Sequence, residues 1–245
     1  MSRRLQILEI AAVDFSFDPA PWAFAEEEAP RIAVHWADLR RRKPALYNGR
    51  VLMLGRRKLE ASPGVGATTL KGSFFETDYA SFVAWQAFGY PGTPVENCFS
   101  MAALRAGDGG FLLGEMAPHT FNAGQTYFPS GTPDPSDVIG DKVDLDSSAR
   151  RELFEETGIS ASEARVDPGW TFVLAGRKIA AMKLMTLPTP ASEAKARIEA
   201  FLASDPKAEF SRIHIVRRPA DIDDTRTPDF VLAYLRAAFV KAGRG

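Results

Sequence analysis

The sequence predicts an α/β or α+β protein in which a mixed sheet packs between helices. Two observations predict this class. Stretches with the 3.6-residue spacing of amphipathic helices alternate along the chain with short apolar runs typical of strands. The composition is that of an ordinary globular protein, because hydrophobic residues make up 45% and charged residues 25% of the 245 residues.

The first ninety residues predict an N-terminal α+β extension. The predicted strands are residues 4–13, 51–54 and 68–76, and the predicted helices are residues 26–42 and 79–88. Pro44 ends the first of these helices because proline lacks the backbone donor. Glycines and prolines crowd residues 89–94. We therefore expect a domain boundary there, with the extension at 1–92 and the main domain at 93–245.

The main domain is predicted to open with a hairpin, residues 98–104 and 110–115, followed by a long irregular loop at 128–144. Further predicted strands are residues 170–174, 180–187 and 213–216. Predicted helices are residues 147–157, 191–203 and 230–240.

Charge, cysteine content and hydropathy exclude several classes of function. Thirty basic and 31 acidic residues leave a formal net charge of -1, so no nucleic-acid partner is expected. The basic run at residues 40–43 is interpreted as a solvated helix end, with a phosphate contact as the alternative. Cys98 is the single cysteine and is expected to be a buried structural thiol. No membrane span or signal peptide is recognised, so a cytoplasmic protein is expected.

The most informative segment is the predicted helix that follows the long loop. Glu152, Glu155 and Glu156 lie at i, i+3 and i+4, which places three carboxylates on one helical face. Arg151 can pair with Glu155 but cannot neutralise all three charges. A hard divalent cation such as Mg²⁺ or Mn²⁺ would relieve their repulsion. The alternative is a solvated helix face carrying ordinary charge pairs.

The flanks of this helix also carry predictions. Asp146 is expected to be the N-cap, and Gly158 to adopt the left-handed conformation after the last turn. Ala149 and Leu153 lie four residues apart on a different stripe, which we expect to pack on a sheet.

The order of residues 151–159, Arg-Glu-Leu-Phe-Glu-Glu-Thr-Gly-Ile, matches the second half of the Nudix box at every fixed position. The chain therefore resembles the Nudix hydrolase family. The first half departs from the pattern, because Asp137 and Val143 stand where the family has glycine and glutamate. Gly131 lies twenty residues before Arg151, so the loop is about six residues longer than usual, and Asp141 or Asp144 is a candidate to replace the glutamate.

The resemblance implies a mixed sheet between helices and a metal-dependent hydrolase. Family members cleave nucleoside diphosphates linked to a variable moiety. Glu155 and Glu156 would be metal ligands, and Glu152 a ligand or an aid to the catalytic base. The carbonyl of Gly131 would be a further ligand.

Two residues would assist these ligands according to the same resemblance. Arg151 would orient the glutamates. Glu209 precedes a predicted strand in a region from which the family often supplies an extra metal ligand or base, with an ordinary surface residue as the alternative.

The substrate expectation also rests on resemblance. The segments around Tyr47, Asn48 and Tyr79, and the loop 131–135, are similar to the UDP-glucose-cleaving branch of the family. A nucleoside diphosphate sugar is therefore the leading substrate, and these three residues are expected to bind it. The alternative for each is a turn, core or capping role.

Several readings of function stay open. ADP-ribose, a dinucleotide or a coenzyme A derivative are alternative substrates, and a Nudix-like binding module without catalysis is an alternative of another class. The N-terminal extension is expected to shape specificity or to form a homodimer.

Overall fold

The computed structural model describes residues 5–61 and 68–243. Its strands are β1 (Gln6–Ile10), β2 (Ala12–Phe17), β3 (Arg50–Ala61), β4 (Thr68–Asp78), β5 (Asn97–Arg105), β6 (Phe111–Met116), β7 (Thr126–Tyr127), β8 (Ser130–Gly131), β9 (Val138–Ile139), β10 (Lys142–Val143), β11 (Arg165–Val166), β12 (Trp170–Ala175), β13 (Lys178–Thr186) and β14 (Phe210–Val216). Its α-helices are α1 (Ala23–Glu27), α2 (Ala29–Arg42), α3 (Tyr79–Ala87), α4 (Leu145–Thr157), α5 (Ala191–Ser204) and α6 (Asp229–Ala242).

Two predicted elements near the N-terminus are each divided. The strand predicted at 4–13 begins outside the described residues at Arg4, and its remainder is split between β1 and β2, which belong to different sheets. The helix predicted at 26–42 is α1 followed by α2. Pro30 lies in the first turn of α2, where its missing N–H is tolerated but where it cannot continue a preceding helix.

The prediction of a long irregular loop at residues 128–144 is wrong. The segment contains β8, β9, β10 and a short 3-10 helix, Pro135–Asp137. The Asp134 side chain accepts a hydrogen bond from Ser136 N, and the Asp137 side chain accepts one from Asp134 N, so the turn is capped by its own carboxylates. Two-residue strands leave no hydrophobic period in a sequence, which explains why they were missed.

The chain divides into two compact units. Among the described residues, the first contains 5–11, 99–131 and 146–243, and the second contains 12–61, 68–98 and 132–145. Strand β1, from the predicted extension, pairs with β12 in the first unit, so the units are not contiguous in sequence. The division into domains at 1–92 and 93–245 stays a prediction about which segments fold on their own.

The first unit is a sheet between helices, with strand order β1-β12-β13-β5-β6-β14. Neighbouring residues of β5 show the two covered faces. The Phe99 ring packs on Phe230 of α6 at 5.4 Å between centroids, whereas Ser100 Oγ donates to Ser148 Oγ of α4 at 3.0 Å. Successive strand residues point to opposite faces, so α4 and α6 cover opposite sides. The predicted α+β class, with a mixed sheet between helices, is confirmed.

The second unit contains a five-stranded mixed sheet, order β3-β4-β2-β10-β9, in which β2 and β4 are parallel and β3 and β4 antiparallel. Its helices share an aromatic cluster that includes Trp22, Phe24 and Trp85. Asp78 caps α3 by accepting a hydrogen bond from Ser81 N at 2.9 Å.

Three smaller predictions can be compared with the structure. Cys98 is fully buried, which confirms a structural thiol, and burial raises the pKa of that thiol. The basic run at 40–43 lies at the C-terminal end of α2, where Arg40, Arg41 and Arg42 are exposed. Among the described residues, no helix has the length and hydropathy needed to cross a membrane.

Candidate active site

The three predicted carboxylates of helix α4 differ in their exposure to solvent. The side chain of Glu155 is 56% exposed and that of Glu152 is 13% exposed. Glu156 is buried, with 6% of the residue exposed. A carboxylate this deeply buried is costly unless it is paired or hydrogen-bonded, so this face is not an ordinary solvated helix surface.

The opposite stripe of α4 fixes the helix on the sheet. Ala149 and Leu153 have no exposed surface, as their spacing predicts. Gly158 follows the helix with φ of 68°, which confirms the left-handed position expected there. The prediction that Asp146 is the N-cap is wrong, because the helix begins one residue earlier, at Leu145, and Asp146 lies within its first turn.

Asp146 joins α4 to the sheet through an ion pair that the sequence did not indicate. The Lys183 ammonium lies 3.0 Å from a carboxylate oxygen of Asp146 and donates to the carbonyl of Pro168 at 3.1 Å. Lys183 is buried and packs 4.5 Å from the centroid of the Trp170 ring. Burial works to raise the pKa of Asp146, but hydrogen bonds from Arg150 and Lys183 outweigh it and lower that pKa. This contact fixes the first turn of α4 against β13 of the sheet.

Strand β8 lies directly against the carboxylate face. The backbone N–H of Ser130 donates to a carboxylate oxygen of Glu156 at 3.0 Å. A Cβ added to Gly131 would lie only 2.2 Å from Oε1 of Glu152, so the Glu152 carboxylate packs where any other residue would place its side chain. The glycine at this position therefore permits the close approach of the Glu152 carboxylate and is not required by a turn.

The surroundings of Glu156 disfavour its charged form. Burial raises the pKa of Glu156 well above its usual value, and the negative charge of Glu209 acts in the same direction. The charges of Glu152 and Glu155 add to the rise in pKa, whereas the hydrogen bond from Ser130 N opposes it. Several negative charges thus surround one buried carboxylate.

Arg151 lies between two of the carboxylates, as predicted. Its Nη1 is 3.3 Å from Glu152 Oε1 and 3.8 Å from Glu155 Oε2. One guanidinium shared between two carboxylates does not neutralise the whole face, and its role in orienting them stays a prediction.

Glu209 is brought close to the helix carboxylates although it is 53 residues beyond Glu156 in the chain. Its carbonyl accepts a hydrogen bond from Ala117 N at 2.7 Å, which ties it to the segment after β6. Partial desolvation raises the pKa of Glu209, and nearby His119 acts to lower it.

His119 was not selected from the sequence, where the three histidines are far apart. It lines a cavity of about 410 Å³ together with Ala208 and Phe210, the two neighbours of Glu209, and with Arg212. This volume falls within the range typical of small-molecule sites. No spacing rule could have found His119, because only the folded chain brings it to Glu209.

The donor chemistry of the carboxylate face fits a hard cation. Glu152, Glu155 and Glu156 supply the oxygen ligands that Mg²⁺ prefers, and a bound cation would relieve the repulsion that raises the pKa of Glu156. In the described part of the chain, no three His, Cys, Asp or Glu side chains already converge as a metal-binding group. Coordination would therefore require rotation of these flexible side chains.

The three predicted substrate-binding residues lie in the second unit. Tyr47 is 83% exposed. The side-chain oxygen of Asn48 accepts a hydrogen bond from Ala80 N at 2.7 Å, so it caps α3. Tyr79 packs in the aromatic cluster, with its ring 6.1 Å from Trp36 and 5.8 Å from Phe82. Their role in substrate binding stays a prediction.

Comparisons with known proteins were made for family models, curated proteins and solved structures. No family model and no curated protein matches the chain. A Nudix hydrolase from M. smegmatis, RenU, is similar at 17% identity and TM-score 0.42, over 60% of this chain and 87% of that one. An Ap4A hydrolase from C. elegans is similar at 19% identity and TM-score 0.40, over 59% and 98%.

The Nudix domain of NrtR from Shewanella oneidensis, solved with ADP-ribose, is similar at 15% identity and TM-score 0.40, over 65% of this chain and 97% of that chain. Similarity at this level of identity does not establish a family. Membership of this chain in the Nudix hydrolase family is a proposal, and it rests on the residues of α4 and β8.

Proposed function

We propose that this protein is a Nudix-type hydrolase that cleaves the pyrophosphate linkage of a nucleoside diphosphate joined to another group, with Mg²⁺ or Mn²⁺ as cofactor. One observation carries the proposal. Backbone of β8 closes on the carboxylate face of α4, with Ser130 N bonded to Glu156 and the Gly131 Cα packed against the Glu152 carboxylate. A solvated helix face has no need of this buried, repulsive arrangement.

The residues of α4 have distinct roles in this proposal. Glu155 and Glu156 hold the metal, Glu152 is a ligand or assists the base, and the carbonyl of Gly131 is a further ligand. A bound divalent ion would shield phosphate charge and lower the pKa of an attacking water. Arg151 keeps the Glu152 and Glu155 carboxylates oriented through its contacts at 3.3 and 3.8 Å.

Glu209 completes the proposed site as a base or an additional ligand. Its charge acts on Glu156, and the charge of Glu155 acts on Glu209, which supports a position at the edge of the same face. The cavity beside it, lined by His119 and Arg212, offers space for part of a ligand. Asp141 and Asp144 remain the candidates for the upstream glutamate that the chain lacks.

A nucleoside diphosphate sugar such as UDP-glucose is the proposed substrate. The support is the resemblance around Tyr47, Asn48 and Tyr79, of which Tyr47 and Asn48 are exposed. ADP-ribose, dinucleotides and coenzyme A derivatives are the alternative substrates within the same chemistry. A binding module without catalysis is the alternative of another class, and it has no use for the buried Glu156.

The test is a substrate panel run with Mg²⁺, with Mn²⁺ and with chelator. UDP-glucose, ADP-ribose, a dinucleotide and coenzyme A are incubated side by side, and products are separated by anion exchange. We expect metal-dependent hydrolysis that is fastest for UDP-glucose and yields UMP and glucose 1-phosphate. Faster cleavage of another compound in the panel would overturn the proposal that UDP-glucose is the substrate. If none of the compounds is cleaved, the proposed hydrolase activity is wrong.

A further inference from the structure

The sheet of the second unit carries a polar groove that the proposed hydrolysis does not use. The groove has a volume of about 520 Å³, and the described residues that line it include five cationic side chains and one carboxylate, Asp14. Its floor follows one row across four strands. Arg56 of β3 is opposite Ser73 of β4, Ser73 is opposite Ser16 of β2, and Ser16 is opposite Lys142 of β10. Two short hydroxyl side chains thus lie between two long cations.

Cations outnumber the carboxylates that pair with them. Lys142 lies 2.7 Å from Asp14, and Lys71 lies 3.7 Å from the same carboxylate and 3.0 Å from Glu60. Lys58 stands directly opposite Lys71, a like-charged cross-strand pair that destabilises a sheet. Glu60 bonds to both of these lysines, so one carboxylate is shared between two cations. The groove is left with a net positive charge.

Among the described residues, two donors in the row have no protein acceptor. Within residues 5–61 and 68–243, the guanidinium of Arg56 makes no hydrogen bond or ion pair, and neither does the hydroxyl of Ser73. Arg56 is exposed and Ser73 partly so, and they are cross-strand neighbours. An arginine and a hydroxyl side by side offer charge-assisted hydrogen bonds to a tetrahedral oxyanion.

The dimensions of the row favour a small phosphorylated ligand. Adjacent strands are about 4.8 Å apart, so Arg56 and Lys142 originate about 14 Å apart with the two serines between them. Both cations are long enough to lean inward on one or two phosphate groups. Among the described residues, the groove lining contains no aromatic side chain, so it lacks the stacking platform by which sheets bind single-stranded nucleic acid.

We propose that the groove formed by Arg56, Ser73, Ser16 and Lys142 is a binding site for a phosphate or diphosphate group of a small molecule, separate from the carboxylate residues of α4. Binding there needs no divalent metal, because the protein supplies the positive charge. A bound phosphate would also offset the repulsion between Lys58 and Lys71.

The test uses pyrophosphate as the probe and the full-length chain in chelator. Binding is measured by calorimetry, and amide chemical shifts locate it. We expect saturable binding with shifts concentrated at Ser16, Gly72 and Ser73, and a dissociation constant raised at least about tenfold by Arg56→Gln. The matched control is Arg50→Gln, which removes the same charge about 20 Å along the same strand and should change affinity less than twofold.

A second variant separates this site from the proposed active site. Glu156→Gln should leave metal-free pyrophosphate binding unchanged. The proposal is overturned if the wild type does not bind pyrophosphate, if Arg56→Gln binds as well as Arg50→Gln, or if Glu156→Gln abolishes binding. Metal-dependent hydrolysis is measured separately on the substrate panel, so absence of pyrophosphate binding in chelator leaves the proposed hydrolysis standing.

Discussion

The contact between β8 and α4 can be tested by adding a single methyl group at Gly131. In Gly131→Ala the new Cβ would lie 2.2 Å from Oε1 of Glu152, so the carboxylate must retreat by about 1.2 Å to reach the 3.4 Å of ordinary contact. The displaced atom ends a flexible side chain, so the fold should survive. A displacement of about 1 Å within a catalytic site can cost about a hundredfold in rate, and we expect a loss of activity of that order.

The assay compares thermal midpoint, metal affinity and turnover in Gly131→Ala and in the matched control Gly55→Ala. At Gly55 the nearest atoms to an added Cβ are 3.5 Å away, an ordinary contact in a strand of the other unit. Both variants should unfold near the wild-type temperature, and only Gly131→Ala should lose activity. If Gly131→Ala folds and keeps wild-type turnover and metal affinity, the position of the Glu152 carboxylate against Gly131 does not matter for activity, and the proposed role of this contact is wrong.

Stability measurements give further expectations. Folding raises the pKa of Glu156, so its ionisation opposes folding: the penalty is absent below the unfolded pKa near 4.5 and complete only above the raised pKa. In chelator at pH 8, Glu156→Gln should therefore raise the thermal midpoint, and a lower midpoint would contradict this. Saturating Mg²⁺ or Mn²⁺ should raise the wild-type midpoint by mass action, and an unmoved midpoint would count against a metal site. Lys183→Met removes one of the two cations bonded to Asp146 and should cost about 2 kcal/mol in urea unfolding, because Arg150 stays paired with that carboxylate, whereas a loss under about 1 kcal/mol would show that Lys183 does not anchor α4.

The sequence predicted the carboxylate helix well because its determinants are local. Glu152, Glu155 and Glu156 share a face by their spacing alone, and Ala149 with Leu153 marks the stripe that packs on the sheet. A helix period is visible in any chain that carries it, whatever the rest of the fold does.

The partners of that helix could not be predicted, because they are set by tertiary structure. Ser130 acts through its backbone N–H, which no side-chain pattern reveals. Lys183 is an internal strand residue whose ion pair with Asp146 forms across 37 residues of chain. His119 meets Glu209 only when the segment after β6 packs beside β14.

The remaining errors in the predicted strands arise because strands pair with segments that are distant in the sequence. β1 and β2 are separated by one residue yet enter different sheets, so a continuous apolar run gave a single predicted strand. β9 and β10 join β2 from a segment more than 120 residues later in the chain. Local hydrophobic periodicity contains no information about such long-range partners.

The central claim, that the carboxylate face of α4 performs chemistry, is tested most directly by the turnover of Glu156→Gln on the best substrate of the panel. Glutamine can still accept the hydrogen bond from Ser130 N, so the fold should survive while the charge that would hold a metal is removed. Activity should fall at least about a hundredfold. The control, Glu163→Gln, alters an exposed ion pair with Arg197 and should stay near the wild-type rate. If both variants fold and Glu156→Gln retains near wild-type turnover, the face is a structural surface and the proposed function is wrong.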